Sequence, residues 1–254
     1  MDYRPFLTQI HQRLNPQTYL EIGIRNGGSL ALSKCRSVAI DPNFNIKFEL
    51  NGDFALFRTS SDEYFARPDP LAPTGGRPFE FGFIDGLHIF EYALRDFIHA
   101  ERHFSAKGMI IFDDMLPRTV DEAARVRHTG AWTGDVYPII GVFEKYRPDL
   151  TVVPVGTTPT GLLMITGLDP TNTVLADNYA QILLEFRHAD PQPVPEQLLD
   201  RLSVSVPEKV LQSSIFELLA AEDPSATAAE LQPKVAELIA RDLGPAFASL
   251  TSSL

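Results

Sequence analysis

The sequence predicts an α/β fold: a doubly wound, mostly parallel sheet, closed by an antiparallel hairpin and followed by a helical extension. Three observations carry that expectation. From Tyr19 to about Gly167, short β-rich apolar runs alternate with stretches of helical period, the pattern of a sheet covered by helices on both faces. The first run ends in a glycine-rich turn, Arg25-Asn26-Gly27-Gly28. The last two runs are joined by Gly156-Thr157-Thr158-Pro159-Thr160, a loop suited to a hairpin.

Taken in order, residues 19–24 (YLEIGI) read as a buried strand, and Ser29 to Lys34 begins a helix after the glycine turn. Residues 37–41 (SVAID) and 55–59 (ALFRT) are the second and third strands. Residues 80–85 (EFGFID) are the fourth, and 88–104 places Phe90, Ala93, Leu94, Phe97, Ile98 and Phe104 at roughly helical spacing. Residues 107–113 (KGMIIFD) are the fifth; their continuous apolar stretch from Met109 to Phe112 fits a strand buried on both faces. A helix is expected at about 119–128, then a polar, aromatic loop at 128–137. There Trp132 and Asp135 either border a substrate pocket or anchor a packed connector. Residues 150–155 (LTVVPV) and 161–166 (GLLMIT) form the hairpin.

Beyond Asp169 the composition shifts. Pro170, Pro191, Pro193, Pro195 and Pro207 punctuate helical patterns at about 174–187, 208–221 and 227–243. The division expected is therefore a ligand-binding domain over 1–168 and a helical extension over 169–254. The extension carries apolar faces at Ile182, Leu183 and Phe186, and at Val210, Leu211, Ile215 and Leu218. Such faces need covering, by the core or by a second copy in a homo-oligomer. The end, Thr251-Ser252-Ser253-Leu254, reads as frayed.

Composition bounds the function. At 254 residues, 44% hydrophobic, the chain can bury a full core without a metal or disulfide staple. Cys35 is the only cysteine, which excludes an intramolecular disulfide and fits a reducing compartment. The start, MDYRPFLTQIHQRL, is too polar for a signal peptide, and no apolar run reaches membrane-spanning length. The expected location is the cytoplasm, away from membranes. A formal net charge of −11 without any Lys/Arg-rich stretch makes nucleic acid a poor partner. His11, His99, His103, His128 and His188 lack metal-ligand spacing and read as surface residues.

The string Glu21-Ile22-Gly23-Ile24-Arg25-Asn26-Gly27-Gly28-Ser29 puts an acid and then glycines at the end of the first strand. Glycines let the backbone turn sharply and approach a ligand. Neither G-x-G-x-x-G nor G-x-x-x-x-G-K-[ST] is present. Asp41 ends the second strand, about twenty residues past Glu21, where doubly wound folds place an acid for ribose hydroxyls; Asp41-Pro42 equally suits a turn. Together, E-x-G-x-x-x-G and V-A-I-D-P resemble motifs I and II of class I S-adenosylmethionine (SAM)-dependent methyltransferases. The resemblance implies that Glu21, Gly23, Gly27 and Ser29 hold the methionine end of SAM and Asp41 the ribose. Ser61 and Asp62, after Ser60, fall where that fold contacts the adenine side; with Glu63 the same run also suits a helix N-cap.

Residues 83–92 (FIDGLHIFEY), 95–99 (RDFIH) and 107–114 (KGMIIFDD) extend the resemblance. They are similar to the metal-dependent O-methyltransferases related to macrocin O-methyltransferase and to the small bacterial methyltransferases that share that domain, over Tyr19 to Asp114. Asp85 ends the fourth strand, and Asp113 and Asp114 the fifth, so three carboxylates would converge. Close unpaired carboxylates repel one another; a divalent cation, Mg²⁺ or Mn²⁺, suits an all-oxygen ligand set. His88, three residues after Asp85, matches the D-x-x-H histidine that takes the proton of the acceptor hydroxyl in this family. The bland readings are that Asp113-Asp114 cap a helix near Met115 and that His88 lies on the surface of a first turn. The function implied is SAM-dependent methylation of a hydroxyl on a small molecule, a sugar or natural product, with Asp85 and His88 catalytic. The alternatives are an NAD-dependent oxidoreductase, against which the missing dinucleotide fingerprint counts, and a non-catalytic protein that keeps the fold for binding.

Overall fold

A computed structural model describes residues 1–247; the expected frayed end at 251–254 lies outside them. The strands β1 (Thr18–Ile22), β2 (Arg36–Ile40), β3 (Asp53–Phe57), β4 (Phe79–Ile84), β5 (Phe104–Phe112), β6 (Thr151–Val155) and β7 (Leu162–Thr166) form one seven-stranded sheet, ordered β3-β2-β1-β4-β5-β7-β6. Neighbours from β3 to β5 are parallel, whereas β7 runs antiparallel to both β5 and β6. The doubly wound sheet and its closing hairpin are thus those expected. Strand order reverses between β1 and β4, and the crevice outside the carboxyl ends at such a switch point is where ligands bind.

Alternate strand residues feed two apolar layers. Leu20, Ile22, Val38, Ile40, Ile110 and Phe112 face one, with Phe90, Leu94 and Phe97 of α3 (Phe90–Glu101) and Ile139 and Phe143 of α4 (Ile139–Tyr146). Tyr19, Ala39, Phe81, Phe83, Met109 and Ile111 face the other, with Phe6, Leu7 and Ile10 of α1 (Tyr3–Leu14). The second helix, α2 (Ser61–Phe65), follows β3. Among the described residues no helix is long and apolar enough to cross a membrane.

The segment after residue 168 packs on both layers. Its helices are α5 (Val174–Asp177), α6 (Tyr179–Phe186), α7 (Glu196–Leu199), α8 (Pro207–Leu211), α9 (Ile215–Ala221) and α10 (Ala228–Asp242). Leu175, Ile182 and Leu198 join the first layer. Val210, Ile215, Phe216, Leu219, Val235 and Ile239 join the second. Two of the expected helices are broken. The break between α8 and α9 is held by Asp242, which accepts from Ser213 Oγ at 3.0 Å and Ser214 N at 2.8 Å.

Two local expectations give way to tertiary demands. Ser29 to Lys34 forms only a 3₁₀ turn over Leu30–Leu32, because Arg36 already begins β2 and leaves no room for a longer helix. Residues 119–128 are irregular. Their carbonyls serve the following loop instead of a helix: Glu122 O accepts from Thr133 N at 2.9 Å, and Ala124 O from Trp132 Nε1 at 2.6 Å.

His11 is not a surface residue. The apolar face of α1 packs it edge-on against Tyr19 and Phe81, with ring centroids 4.8 and 4.7 Å apart, and its Nε2 is buried without a partner. Burial, then the nearby Lys34 charge, lower its pKa from 6.5 to about 4. Between those values the unfolded chain binds a proton that the folded one refuses. The contribution to stability is therefore complete above pH ~6.5 and lost as pH falls towards 4, by about 3 kcal/mol. His11→Phe keeps the aromatic packing, and its urea-unfolding free energy should fall less steeply than the parent's over that range. Parallel curves would show that His11 takes up its proton alike in the folded and unfolded chain.

Candidate active site

The carboxyl ends of β1, β2, β4 and β5 surround a cavity of about 750 Å³. Gly23 leaves β1 at φ +92°, and a Cβ there would fall 1.8 Å from the carbonyl oxygen of Asp85. Only glycine lets the ends of β1 and β4 approach this closely. Asp41, at the end of β2, secures the loop: Oδ2 accepts from Ile24 N and Arg25 N, both at 2.8 Å, and Oδ1 from Asn43 N at 2.6 Å. Asp41 thus orders a turn, one of the two roles expected of it, and it also lines the cavity.

Gly23, Asp41, Ser61 and Asp62 line the cavity, whereas Glu21, Gly27 and Ser29 shape the loop from behind it. Glu21 is fully buried and accepts from Tyr19 Oη at 2.7 Å and Ser29 Oγ at 2.8 Å. Burial drives its pKa up to about 8, and its two bonds brace the loop from behind. Gly27, at φ +80°, closes the turn by donating its N–H to Ile24 O at 2.8 Å. Ser60 caps α2 in a reciprocal box with Glu63. Ser61 donates to Asp96, whose burial raises its carboxyl to about 7. Asp62 is gripped by Arg95 at 2.8 Å, which holds it below the usual carboxylate range.

Beside this turn, Asp85 follows β4 and Asp113 and Asp114 follow β5. His88 stands between two of these acids. Its Nε2 is 2.9 Å from Asp85 Oδ1; its Nδ1 is 3.1 Å from Asp114 Oδ2, buried and without hydrogen-bonding geometry. Both His88 (φ +52°) and Asp114 (φ +60°) are left-handed, an uncommon backbone state for which Asn, Asp and His are the better-tolerated side chains. Burial would lower the His88 pKa, but the hydrogen bond and charge of Asp85, then Asp114, outweigh it and leave it raised. Burial, against the opposing pull of His88, raises Asp114 to about 6. Asp113 is pushed up by burial and by the charges of Asp85 and Asp114; its Oδ1 accepts from Asp114 N at 2.8 Å. The acids at the two strand ends act on one another, and the donors of Asp85, His88 and Asp114 lie within 4.8 Å.

Trp132 lies over His88, ring centroids 5.3 Å apart and 16° from parallel, and lines the cavity. Asp135 does not. It accepts from Phe90 N at 3.0 Å at the start of α3 and pairs with Arg125, which also binds Glu91 at 2.8 Å. Tyr3, Tyr92, Asp96 and Thr160 also line it. Tyr92 and Asp96 lie within the segments that carry the resemblance but had no role there, whereas Tyr3 and Thr160 come from elements without a ligand motif. Tyr3 reaches the cavity through α1, whose start donates from Tyr3 N to Thr158 O at 3.2 Å, while its ring stacks on Phe83 at 6.4 Å.

No family model matches the chain, and no curated protein matches it. Solved structures do. The O-methyltransferase TomG from Streptomyces achromogenes, involved in tomaymycin synthesis and solved with SAM, is 16% identical. The match covers 65% of this chain and 78% of that one, with a TM-score of 0.47. The O-methyltransferase from Bacillus cereus, solved with SAH, is 18% identical over 64% of this chain and 79% of its own, also at 0.47. At such identities the likeness concerns the fold, and the chemistry must be read from this chain's own residues.

Proposed function

We propose that the protein is a SAM-dependent methyltransferase acting on a hydroxyl oxygen of a small molecule. The observation that carries this reading is one cavity lined both by the Gly23 turn with Asp41 and by His88 between Asp85 and Asp114. Methyl transfer is an in-line displacement at the sulfonium carbon, so the protein must align three atoms and remove one proton.

Asp41 lines the cavity where a ribose would lie, and the buried Glu21 keeps the loop in shape from behind. The bond of His88 Nε2 to Asp85 Oδ1 fixes the ring at the cavity. The imidazole takes the hydroxyl proton as transfer proceeds, and the imidazolium formed is stabilised by the carboxylates on either side. Carboxyls this close fit a divalent cation, Mg²⁺ or Mn²⁺; Asp85 and Asp114, whose donors lie with His88 within 4.8 Å of one another, would hold it, with Asp113 behind them. When bound, it supplies Lewis acidity that lowers the pKa of the acceptor hydroxyl.

Calorimetry with SAM and with NAD tests the cofactor assignment: SAM should bind and NAD should not. NAD binding without SAM binding would favour an oxidoreductase. Asp41→Ala should weaken SAM binding by about 1–3 kcal/mol, the cost of polar groups left unpaired, and parental affinity would reduce Asp41 to a turn residue. Transfer of labelled methyl from SAM to a panel of hydroxylated small molecules separates an enzyme from a binding protein.

A further inference from the structure

A second hollow, of about 730 Å³, opens at the opposite end of the sheet. Thr18, Arg36 and Asp53, the first residues of β1, β2 and β3, lie on its wall, roughly 17 Å of strand away from the catalytic cavity. His11 lines it, with the buried and unpartnered Nε2 described above. An orphaned buried polar atom costs free energy unless a ligand or water satisfies it.

The charge around this hollow is opposite in sign to that of the whole chain. Lys34, Arg36 and Arg77 line it and Asp53 alone opposes them. Asp53 is taken by Arg36 at 2.7 Å. Glu80, which lies near the Cys35 thiol, pairs with Lys107 at 3.4 Å and accepts from Gln17 N at 2.8 Å. Lys34 and Arg77 therefore have no acidic partner among the described residues. In a protein with net charge −11, two uncompensated cations beside an imidazole N–H form a local site for negative charge.

We propose that this hollow is a second ligand site, taking a compact dianion, either a phosphate group or a dicarboxylate. Lys34 and Arg77 supply the charge, and His11 donates from Nε2 beneath them. The site is independent of the methyl-transfer reading, because it shares no residue with the catalytic cavity.

The test is titration of the full chain with inorganic phosphate and, separately, malonate at pH 8 and constant ionic strength. The His11 ring resonance and the melting temperature are followed together. One of the dianions should shift both saturably, and the effective one identifies the ligand chemistry. The double variant Lys34→Ala/Arg77→Ala, altered only at exposed positions, should bind it at least roughly tenfold more weakly, as expected on losing two charge-assisted contacts. The proposal is overturned if neither dianion moves His11, if chloride reproduces the shift, or if the double variant responds like the parent.

Discussion

Replacing His88 should slow methyl transfer by roughly 10²–10⁴-fold, the usual contribution of a general base, while SAM affinity stays near the parental value. The separation follows from contacts: His88 is set between Asp85 and Asp114, whereas the glycine loop is ordered by Asp41, to which His88 makes no bond. The choice of variant matters, because His88 is left-handed at φ +52°. Alanine tolerates that conformation poorly and asparagine better, so His88→Asn removes the base with less backbone strain. Both variants should lose kcat far more than they raise the acceptor KM, and both should still bind Mn²⁺. A variant at the parental rate would remove His88 from the chemistry. Loss of Mn²⁺ binding would make the imidazole a metal ligand, a role that its place within 4.8 Å of the Asp85 and Asp114 donors makes worth measuring. Full activity in the presence of a chelator would remove the cation instead.

Ending the chain at residue 168 should abolish folding. Val210, Ile215, Phe216, Val235 and Ile239 are each 0% exposed and cover Met109, Ile111, Val153 and Met164 of the sheet. Burying one such side chain contributes about 1.5–3 kcal/mol, so these residues together match the roughly 5–15 kcal/mol by which a domain is stable. The shortened chain would also expose the part of that apolar sheet face which α1 leaves uncovered and should aggregate. Size-exclusion chromatography and circular dichroism check this. A soluble, monomeric 1–168 fragment that binds SAM would show that the segment after 168 is dispensable and only decorates the sheet.

Much of the site was readable locally. The apolar runs, the glycine turn and an acid at each of several strand ends are properties of neighbouring residues, and strand ends in a parallel sheet necessarily collect on one side. Other features follow from partners far along the chain. Trp132 stacks on His88 across 44 positions because Ala124 O captures its indole N–H, and the same capture costs residues 119–128 their helix. Tyr3 enters the cavity only because the start of α1 is tied to Thr158.

By itself, then, the sequence determined the periodicity of the sheet, the Gly23 turn and the set of acids and histidine that the cavity gathers. Backbone propensity and side-chain alternation act within a few residues, and these features need nothing more. Tertiary structure alone decided which of those groups touch. It set His88 between Asp85 and Asp114 with Asp113 behind, buried Glu21 beneath the glycine turn, and sealed His11 among aromatic rings. Burial and charge–charge distance govern protonation, and both are fixed only when segments remote in sequence close around a side chain.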